Sequence, residues 1–216
     1  MPRLKLGVLI SGRGSNMQAL IDACRDPAYP AEIALVIANR ADAGGLKRAA
    51  ESGIATAMIP HRDYPDRQSF DAALDAALRD AGVELVCLAG FMRLLTASFV
   101  TSWHDRIVNI HPSLLPAFKG AHAHADVLAA GVKISGCTVH IVRPEMDDGP
   151  IIVQAAVPVL PGDTEDTLAA RVLEAEHRCY PFAVRALAEG RVKVNGDNAT
   201  VDAHTQPSAL LISPHD

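Results

Sequence analysis

The chain has 216 residues, of which 49% are hydrophobic and 21% are charged, and its formal net charge at pH 7 is −5. This length suits one sizeable domain with a buried core, and this composition excludes wholesale disorder. The negative charge argues against a general nucleic-acid-binding or anionic-membrane-binding surface, so an anionic ligand must meet local arginine, histidine or backbone N–H groups.

Localisation is predicted from the termini and the thiols. The N-terminus shows no signal peptide, and no apolar run approaches the roughly 20 residues that span a bilayer. The four cysteines are dispersed, without the spacing of a metal site or a redox pair: Cys24, Cys87, Cys137 and Cys179. We therefore expect free thiols in a cytoplasmic protein with no membrane partner.

The first half of the chain alternates apolar strands with helices. Strands are predicted at residues 4–10, 32–38, 54–59, 84–89 and 106–110. Helices are predicted at residues 17–24, 46–52, 67–81 and 96–103, with Asp66 and Thr96 at two of their starts. This order predicts an α/β fold: a Rossmann-like, mostly parallel twisted sheet with helices on both faces. Ligands of such sheets bind beyond the carboxyl ends of the strands.

The rhythm changes after a helix that ends near Ala130. Strands are predicted at residues 134–142 and 151–158, and only eight residues separate them. So short a connection indicates an antiparallel strand pair at the C-terminal side of the sheet, because a parallel crossover needs a longer one.

A long amphipathic helix is predicted over residues 165–190, capped by Asp163 or Thr164 and interrupted at Pro181. Residues 1–194 are predicted to form a single domain. Residues 195–216 are predicted as a C-terminal hairpin and tail that is partly disordered.

The first strand runs into Ser11-Gly-Arg-Gly-Ser-Asn16 and then into a helix, which is the layout of an anion site. Gly12 and Gly14 permit a tight backbone, and Ser15 or Asn16 can cap the helix. The third glycine of a dinucleotide fingerprint and the Gly-Lys-Ser/Thr of a P-loop are both absent, so a single phosphate fits better than a pyrophosphate. The alternative is a plain capped turn.

Two further segments are candidates for ligand contacts. Arg67 lies in the first turn of its helix, where a cation opposes the helix dipole, and this favours an anionic ligand. The segment Gly90-Phe-Met-Arg-Leu-Leu95 mixes large apolar side chains with one arginine, which suits a flat aromatic ligand that carries a charge. The alternative for this segment is a hydrophobic cap on a strand end.

Asn109 and His111 lie two residues apart on a predicted strand, so their side chains project from the same face where the strand ends. Pro112 restricts His111 to an extended backbone. An imidazole beside an amide can stabilise an oxyanion and move a proton, whereas the alternative is that both only hydrogen-bond the loop. The loop Arg143-Pro-Glu-Met-Asp-Asp-Gly-Pro150 carries three carboxylates, and an aspartate brought near the imidazole would orient it.

Five motifs occur in order along the chain: Ser11-Gly-Arg-Gly-Ser-Asn16, Ala89-Gly-Phe-Met-Arg93, Asn109-Ile-His-Pro-Ser-Leu-Leu-Pro116, Gly136-Cys-Thr-Val-His140 and Asp147-Asp-Gly-Pro150. Together they resemble the folate-dependent formyltransferase family, and within it the glycinamide ribonucleotide formyltransferases of purine synthesis. The resemblance covers about residues 6–187. Asp148 departs from it, because members of the family often have a small residue there.

The resemblance implies a role for each matching residue. The catalytic amide, imidazole and carboxylate are Asn109, His111 and Asp147. The residues that hold the ribonucleotide are Gly14, Ser15, Asn16 and Glu176. The residues on the folate side are Arg67, Met92, Arg93, Leu94 and Leu95, together with Asn109.

The implied reaction transfers the formyl group of 10-formyltetrahydrofolate, a co-substrate, to the amine of 5'-phosphoribosylglycinamide through a tetrahedral intermediate, in de novo purine biosynthesis. The partners implied are these small molecules, with no nucleic acid, no membrane and no metal, in a monomer or homodimer. The rivals are a formyltetrahydrofolate hydrolase, which has the same three catalytic residues but uses water as the acceptor, and a non-catalytic phosphate- or nucleotide-binding module. A methionyl-tRNA formyltransferase would need a further domain and a basic surface.

Overall fold

The computed structural model describes residues 2–202 and residue 213. The strands of its main sheet are β1 Leu4–Ile10, β2 Ala31–Ala38, β3 Thr56–Met58, β4 Leu85–Leu88, β5 Ile107–His111, β6 Ile134–Ile141 and β7 Ile151–Pro158. The helices are α1 Ser15–Cys24, α2 Gly45–Glu51, α3 Arg67–Asp80, α4 Ala97–Ser102, α5 Ala123–Ala130 and α6 Glu165–Ala188. A separate hairpin joins β8 Val192–Asn195 and β9 Asn198–Val201.

The sheet has the strand order β3-β2-β1-β4-β5-β6-β7. Strands β1 to β5 pair in parallel, and β6 is antiparallel to both β5 and β7. The predicted fold class is therefore confirmed. The chain winds outward from β1 to β3 and then returns to β4, so the strand order reverses between β1 and β4. Ligands of open α/β sheets bind at such a reversal.

Buried side chains cover both faces of the sheet. One cluster lies between the sheet and α1, α5 and α6, and the other packs α3 and α4 against the opposite face. In the first cluster the buried hydroxyl of Tyr180, on α6, lies 2.9 Å from the carbonyl oxygen of Leu88 and 3.2 Å from that of Val108. This hydroxyl holds α6 against the last residue of β4 and the second residue of β5, one turn after Glu176.

The predicted start of α1 was wrong. The helix begins at Ser15, and its N-cap is Gly14, in the left-handed region at φ 71°, with no side-chain hydrogen bond. Neither Ser15 nor Asn16 caps the helix, because both lie inside its first turn. At α3 and α4, by contrast, Asp66 and Thr96 accept the N–H groups of Ser69 and Phe99, as predicted.

The predicted interruption at Pro181 was also wrong, because α6 continues through it from Glu165 to Ala188. A proline removes one backbone hydrogen bond within a helix. Buried side chains on both sides of Pro181, among them Val172 and Val184, hold the helix against the sheet and offset that loss. Thr164 is the N-cap, in a capping box with Thr167.

The hairpin predicted after residue 190 is confirmed by β8 and β9. The predicted C-terminal tail lies outside the described residues from residue 203 onward, with the exception of residue 213. The division into a domain of residues 1–194 and a C-terminal segment stays a prediction. Within residues 2–202, no helix is long and apolar enough to cross a membrane, and no group of three acidic, histidine or cysteine side chains is placed to hold a metal.

Candidate active site

A cavity of about 820 Å³ opens at the carboxyl ends of β1, β4 and β5. It brings together most of the predicted site residues: Ser15, Asn16, Met92, Arg93, Leu94, Asn109, His111, Asp147 and Glu176. These residues come from five separate segments of the chain. The cavity therefore unites the residues expected to hold the ribonucleotide with those expected to act on the formyl group.

One end of the cavity is the glycine loop, residues 11–16, which is held by backbone packing. The N–H group of Gly45 donates to the carbonyl oxygen of Gly12 at 3.1 Å. A Cβ on Gly14 would lie 3.1 Å from the Cα of Gly45, and a Cβ on Gly45 would lie 2.5 Å from Cδ1 of Ile10. Only glycine permits this approach. Because no side chain caps α1, its first N–H groups are left to meet an anion.

Asn16 and Glu176 form a buried pair beside the glycine loop. The amide nitrogen of Asn16 donates to Oε2 of Glu176 at 2.8 Å. Burial raises the pKa of Glu176, and the hydrogen bond from Asn16 opposes that rise. Among the residues that the structure describes, the buried Oδ1 of Asn16 has no hydrogen-bond partner. A polar ligand in the cavity can supply one.

The Asn109 amide is oriented by His140. Nδ1 of His140 lies 3.0 Å from the carbonyl oxygen of Ile141, which can only accept, so Nδ1 carries the proton. Nε2 of His140 then accepts from the Asn109 amide nitrogen at 3.3 Å. Burial lowers the pKa of His140, which keeps this ring neutral and able to accept. The second N–H of Asn109 is left for the cavity.

His111 lies between two acceptors. Its Nε2 is 2.9 Å from the carbonyl oxygen of Phe118, and its Nδ1 is 3.4 Å from Oδ1 of Asp147. The other oxygen of Asp147 accepts the backbone N–H of Gly120 at 2.7 Å. The His111 side chain is buried, so both contacts are shielded from solvent. The structure thus brings His111 and Asp147 together, beside Asn109 on the same strand.

Sequence reasoning missed Ser11 as an organising residue. Its hydroxyl donates to Oδ1 of Asn39 at 2.7 Å and accepts the backbone N–H of Met92 at 2.8 Å. Its own N–H donates to the carbonyl oxygen of Gly90 at 3.1 Å. These bonds tie the glycine loop to residues 90–95, where Met92 and Leu94 form an exposed apolar rim. The available signal was its place as first residue of the glycine motif.

A smaller recess of about 100 Å³, which includes Leu95, shares Asn109 and Asp147 with the cavity. One wall is the acidic loop, residues 142–150. Arg143 of this loop pairs with Asp105 at 2.7 Å, across to the turn that precedes β5. Arg67 lines neither hollow, because it is exposed at the start of α3.

Among the residues outside the prediction that line the main cavity, two have basic side chains. Arg13 lies within the glycine loop, and His124 lies in the first turn of α5. Burial lowers the pKa of His124, and its Nδ1 has no hydrogen-bond partner among the described residues. The sequence signal for His124 was weak, since a histidine at a helix start is most often a polar loop residue.

The chain is similar in sequence to known proteins over most of its length. The formyl transferase family matches residues 4–184. The phosphoribosylglycinamide formyltransferase of Escherichia coli (strain K12) is 42% identical over 204 residues, which are 94% of this chain and 96% of that protein. The trifunctional purine biosynthetic protein adenosine-3 of Gallus gallus is 53% identical over 192 residues, which are 89% of this chain. This chain spans 19% of the length of that protein.

A solved structure agrees in fold. The crystal structure of glycinamide ribonucleotide transformylase 1 from Symbiobacterium toebii superposes with a TM-score of 0.90 at 51% sequence identity, covering 92% of this chain and 94% of that one. The family match extends from β1 into α6 and so includes every segment that lines the cavity. The chain belongs to the formyl transferase family.

Proposed function

We propose that this protein transfers the formyl group of 10-formyltetrahydrofolate to the primary amine of 5'-phosphoribosylglycinamide. One observation carries the proposal: a single cavity has an anion-suited glycine loop at one end and Asn109, His111 and Asp147 at the other. A phosphorylated amine and a formyl donor can therefore meet within it. The names of the relatives in Escherichia coli and Symbiobacterium toebii support the same acceptor and the same transferred group.

The ribonucleotide is proposed to bind along the glycine-loop side. Its phosphate meets the backbone of Gly14, Ser15 and Asn16, where the first N–H groups of α1 have no side-chain cap. Glu176 accepts a hydrogen bond from the glycinamide amine and holds it toward His111. The bond from Asn16 keeps the Glu176 carboxyl in place for this contact.

In the chemical step, the neutral amine attacks the formyl carbon, a C–N bond forms, and the carbonyl oxygen becomes an oxyanion. Asn109 and protonated His111 donate hydrogen bonds to that oxygen; removing one such donor costs about 3–4 kcal/mol of transition-state stabilisation. For this, one N–H of His111 leaves its acceptor in the protein and donates to the oxyanion instead. Holding the two substrates together contributes a further term, up to about 7–11 kcal/mol.

Collapse of the intermediate breaks the bond from the formyl carbon to N10 of the folate. The attacking amine must lose a proton, and N10 must gain one. Asp147 lies beside His111 at 3.4 Å, so it can orient the imidazole and order a water that carries the proton between the two nitrogens. The C–N bond that forms and the C–N10 bond that breaks both join atoms of the two substrates. No covalent enzyme intermediate is therefore required.

The folate is proposed to pack on Met92, Arg93, Leu94 and Leu95, which form the rim of the cavity and of the smaller recess. Arg67 is exposed and outside both hollows, so its proposed contact is with the charged end of the folate beyond the rim. A cytoplasmic location is proposed, in line with the four free cysteines. A monomer or a homodimer remains the expected assembly.

The test is a spectrophotometric assay of formyl loss from a 10-formyl-folate analogue, with and without the ribonucleotide. Formyl loss that requires the ribonucleotide and yields formylated product establishes the transferase. Equal loss without it identifies a hydrolase. No loss in either case, from folded protein, leaves a binding module and contradicts the proposal.

A further inference from the structure

A second hollow, of about 580 Å³, lies between α1 and α2 on the outer side of the glycine loop. Its cations are Arg13, Arg25, Lys47 and Arg48, and its one acidic residue is Glu51. The remaining lining residues are glutamine, serine and glycine. We call this hollow the basic recess. In a chain with a net charge of −5, such a concentration of cations is a local exception that needs a reason.

The two helices present these side chains to each other because of their spacing and attachment. Gln18 and Arg25 are seven residues apart on α1 and so share one face. The N–H of Gly45, the first residue of α2, donates to the carbonyl oxygen of Gly12. This bond holds the start of α2 against the glycine loop, and Arg48 follows one helical turn later. The basic recess is therefore formed by the same close packing that shapes the glycine loop.

The charge in the recess is only half neutralised. Arg25 pairs with Asp22 at 2.7 Å, and Lys47 pairs with the acidic residue of the recess at 3.8 Å. Within the part of the chain that the structure describes, Arg13 and Arg48 have no ion pair and no side-chain hydrogen bond. An excess of two positive charges thus faces the hollow, and an exposed excess of this kind attracts anions.

Arg13 connects the recess with the reaction cavity, because it lines both. The apolar and aromatic side chains that would hold a base or a ring are absent from the recess lining. We propose that the basic recess binds the further phosphate groups of an oligophosphate whose terminal phosphate occupies the glycine loop at Ser15 and Asn16. Such a ligand would compete with the ribonucleotide, and this competition rests on the function proposed above.

Calorimetric titration of the full chain with inorganic tripolyphosphate and with orthophosphate, at constant ionic strength, tests the proposal. Wild-type protein should bind tripolyphosphate roughly ten-fold tighter than orthophosphate, the order expected when two more phosphates each meet an exposed cation. In Arg48→Glu this preference should disappear while orthophosphate binding persists. Lys193→Glu, the same charge change on exposed β8, should keep the preference.

Equal affinities in the wild type, or a preference that survives Arg48→Glu, would overturn the proposal. Circular dichroism checks the fold of each variant, and Arg48→Gln replaces Arg48→Glu if the latter is unstable. A parallel titration with a nucleoside triphosphate shows whether the ligand is a nucleotide. An affinity equal to that of tripolyphosphate assigns recognition to the phosphate chain alone, and a tighter affinity assigns it to a nucleotide. Because binding is measured without folate, this test and the transferase assay can fail independently.

Discussion

The two walls of the reaction cavity are held in different ways. The glycine-loop wall is fixed by main chain, with the Gly45 N–H on the carbonyl of Gly12 and the Cα of Gly45 close to Gly14. The acidic-loop wall is fixed by side chains: Asp147 accepts the N–H of Gly120 at 2.7 Å, and Arg143 pairs with Asp105 at 2.7 Å. The contact of Gly12 and Gly14 with Gly45 involves no side chain of these residues, whereas the two contacts of the second wall are made by side chains.

This difference determines which substitutions each wall tolerates. A close backbone packing is broken by adding atoms, because the neighbouring main chain cannot move away cheaply. A side-chain tether is broken by removing atoms, because a charged partner is then left unpaired. The glycine-loop wall suits a fixed phosphate, and the acidic-loop wall places the groups that respond to charge during the reaction.

The largest effect is expected from His111→Ala, which removes the residue that joins β5 to the acidic-loop wall. The variant should lose about 10²–10⁴ in turnover, because both the oxyanion donor and the proton-moving ring are lost. Steady-state rates with both substrates measure this loss. His104→Ala, at an exposed histidine outside the cavity, is the matched control. Near-normal turnover in His111→Ala would remove this residue from the chemistry.

The next effect tests the backbone packing of the glycine-loop wall. In Gly45→Ala the added Cβ would lie 2.5 Å from Ile10 Cδ1 and 3.3 Å from Gly12 O, so the loop must shift. We expect KM for the ribonucleotide to rise about ten-fold and the free energy of unfolding to fall by about 1–3 kcal/mol.

Gly44→Ala is the control for this change. A Cβ there meets no atom within 4 Å, and the residue has an ordinary φ of −58°. Gly44 is the N-cap of α2 and Gly45 is its first residue, so both variants add one methyl group at the start of the same helix, and only Gly45→Ala places it against packed atoms. If the two alanine variants bind the ribonucleotide equally well, the glycine-loop wall is not held as described.

A smaller effect is expected from breaking the tether of the acidic-loop wall. Arg143→Met removes the ion pair with Asp105 but keeps much of the length of the side chain. We expect kcat/KM for the folate to fall about five-fold, corresponding to about 1 kcal/mol for a partly exposed ion pair, while affinity for the ribonucleotide stays unchanged.

Lys119→Met is the matched control on the same wall, because it breaks the exposed pair between Lys119 and Asp148. Exposed pairs contribute about 0–1 kcal/mol, so this variant should behave nearly as wild type. Equal losses in the two variants would show that the tether of Arg143 has no special part in holding Asp147.

The same contrast explains how much the sequence predicts. The alternation of strands and helices, the shared face of Asn109 and His111, and the caps at Asp66 and Thr96 follow from local patterns of a few residues. The convergence of loops on one edge follows from the parallel sheet. These features need only periodicity and the rule that ligands bind beyond strand ends.

Contacts between distant segments do not follow from such patterns. The approach of Gly45 to Gly14 depends on how α2 docks, and nothing near either glycine indicates the other. The three bonds of Ser11 depend on the distance between two loops. Pro181 stays within α6 because tertiary packing offsets a local cost. Asp147 was assigned through the family resemblance, since 36 residues separate it from His111.

The smallest effect is expected in stability, at Glu176. Burial raises the pKa of Glu176 above its ordinary value of 4.5. A raised carboxyl pKa gives the folded state a stability that is fully present below the unfolded value and is lost as pH rises through the folded value. At pH 8 the ionised carboxylate is therefore a cost, and Glu176→Gln removes that cost while keeping an acceptor for Asn16.

Thermal unfolding should show Glu176→Gln about 2–5 °C more stable than wild type at pH 8, and no different near pH 3, where the carboxyl of Glu176 is protonated in both the folded and the unfolded chain. Glu174→Gln, at an exposed position of the same helix, should show no such pH dependence. The same Glu176 variant should lose transferase activity, because the carboxyl is placed for the amine rather than for stability. If Glu176→Gln is stabilised equally at both pH values, burial of the Glu176 charge is not the reason that this residue lowers the free energy of unfolding.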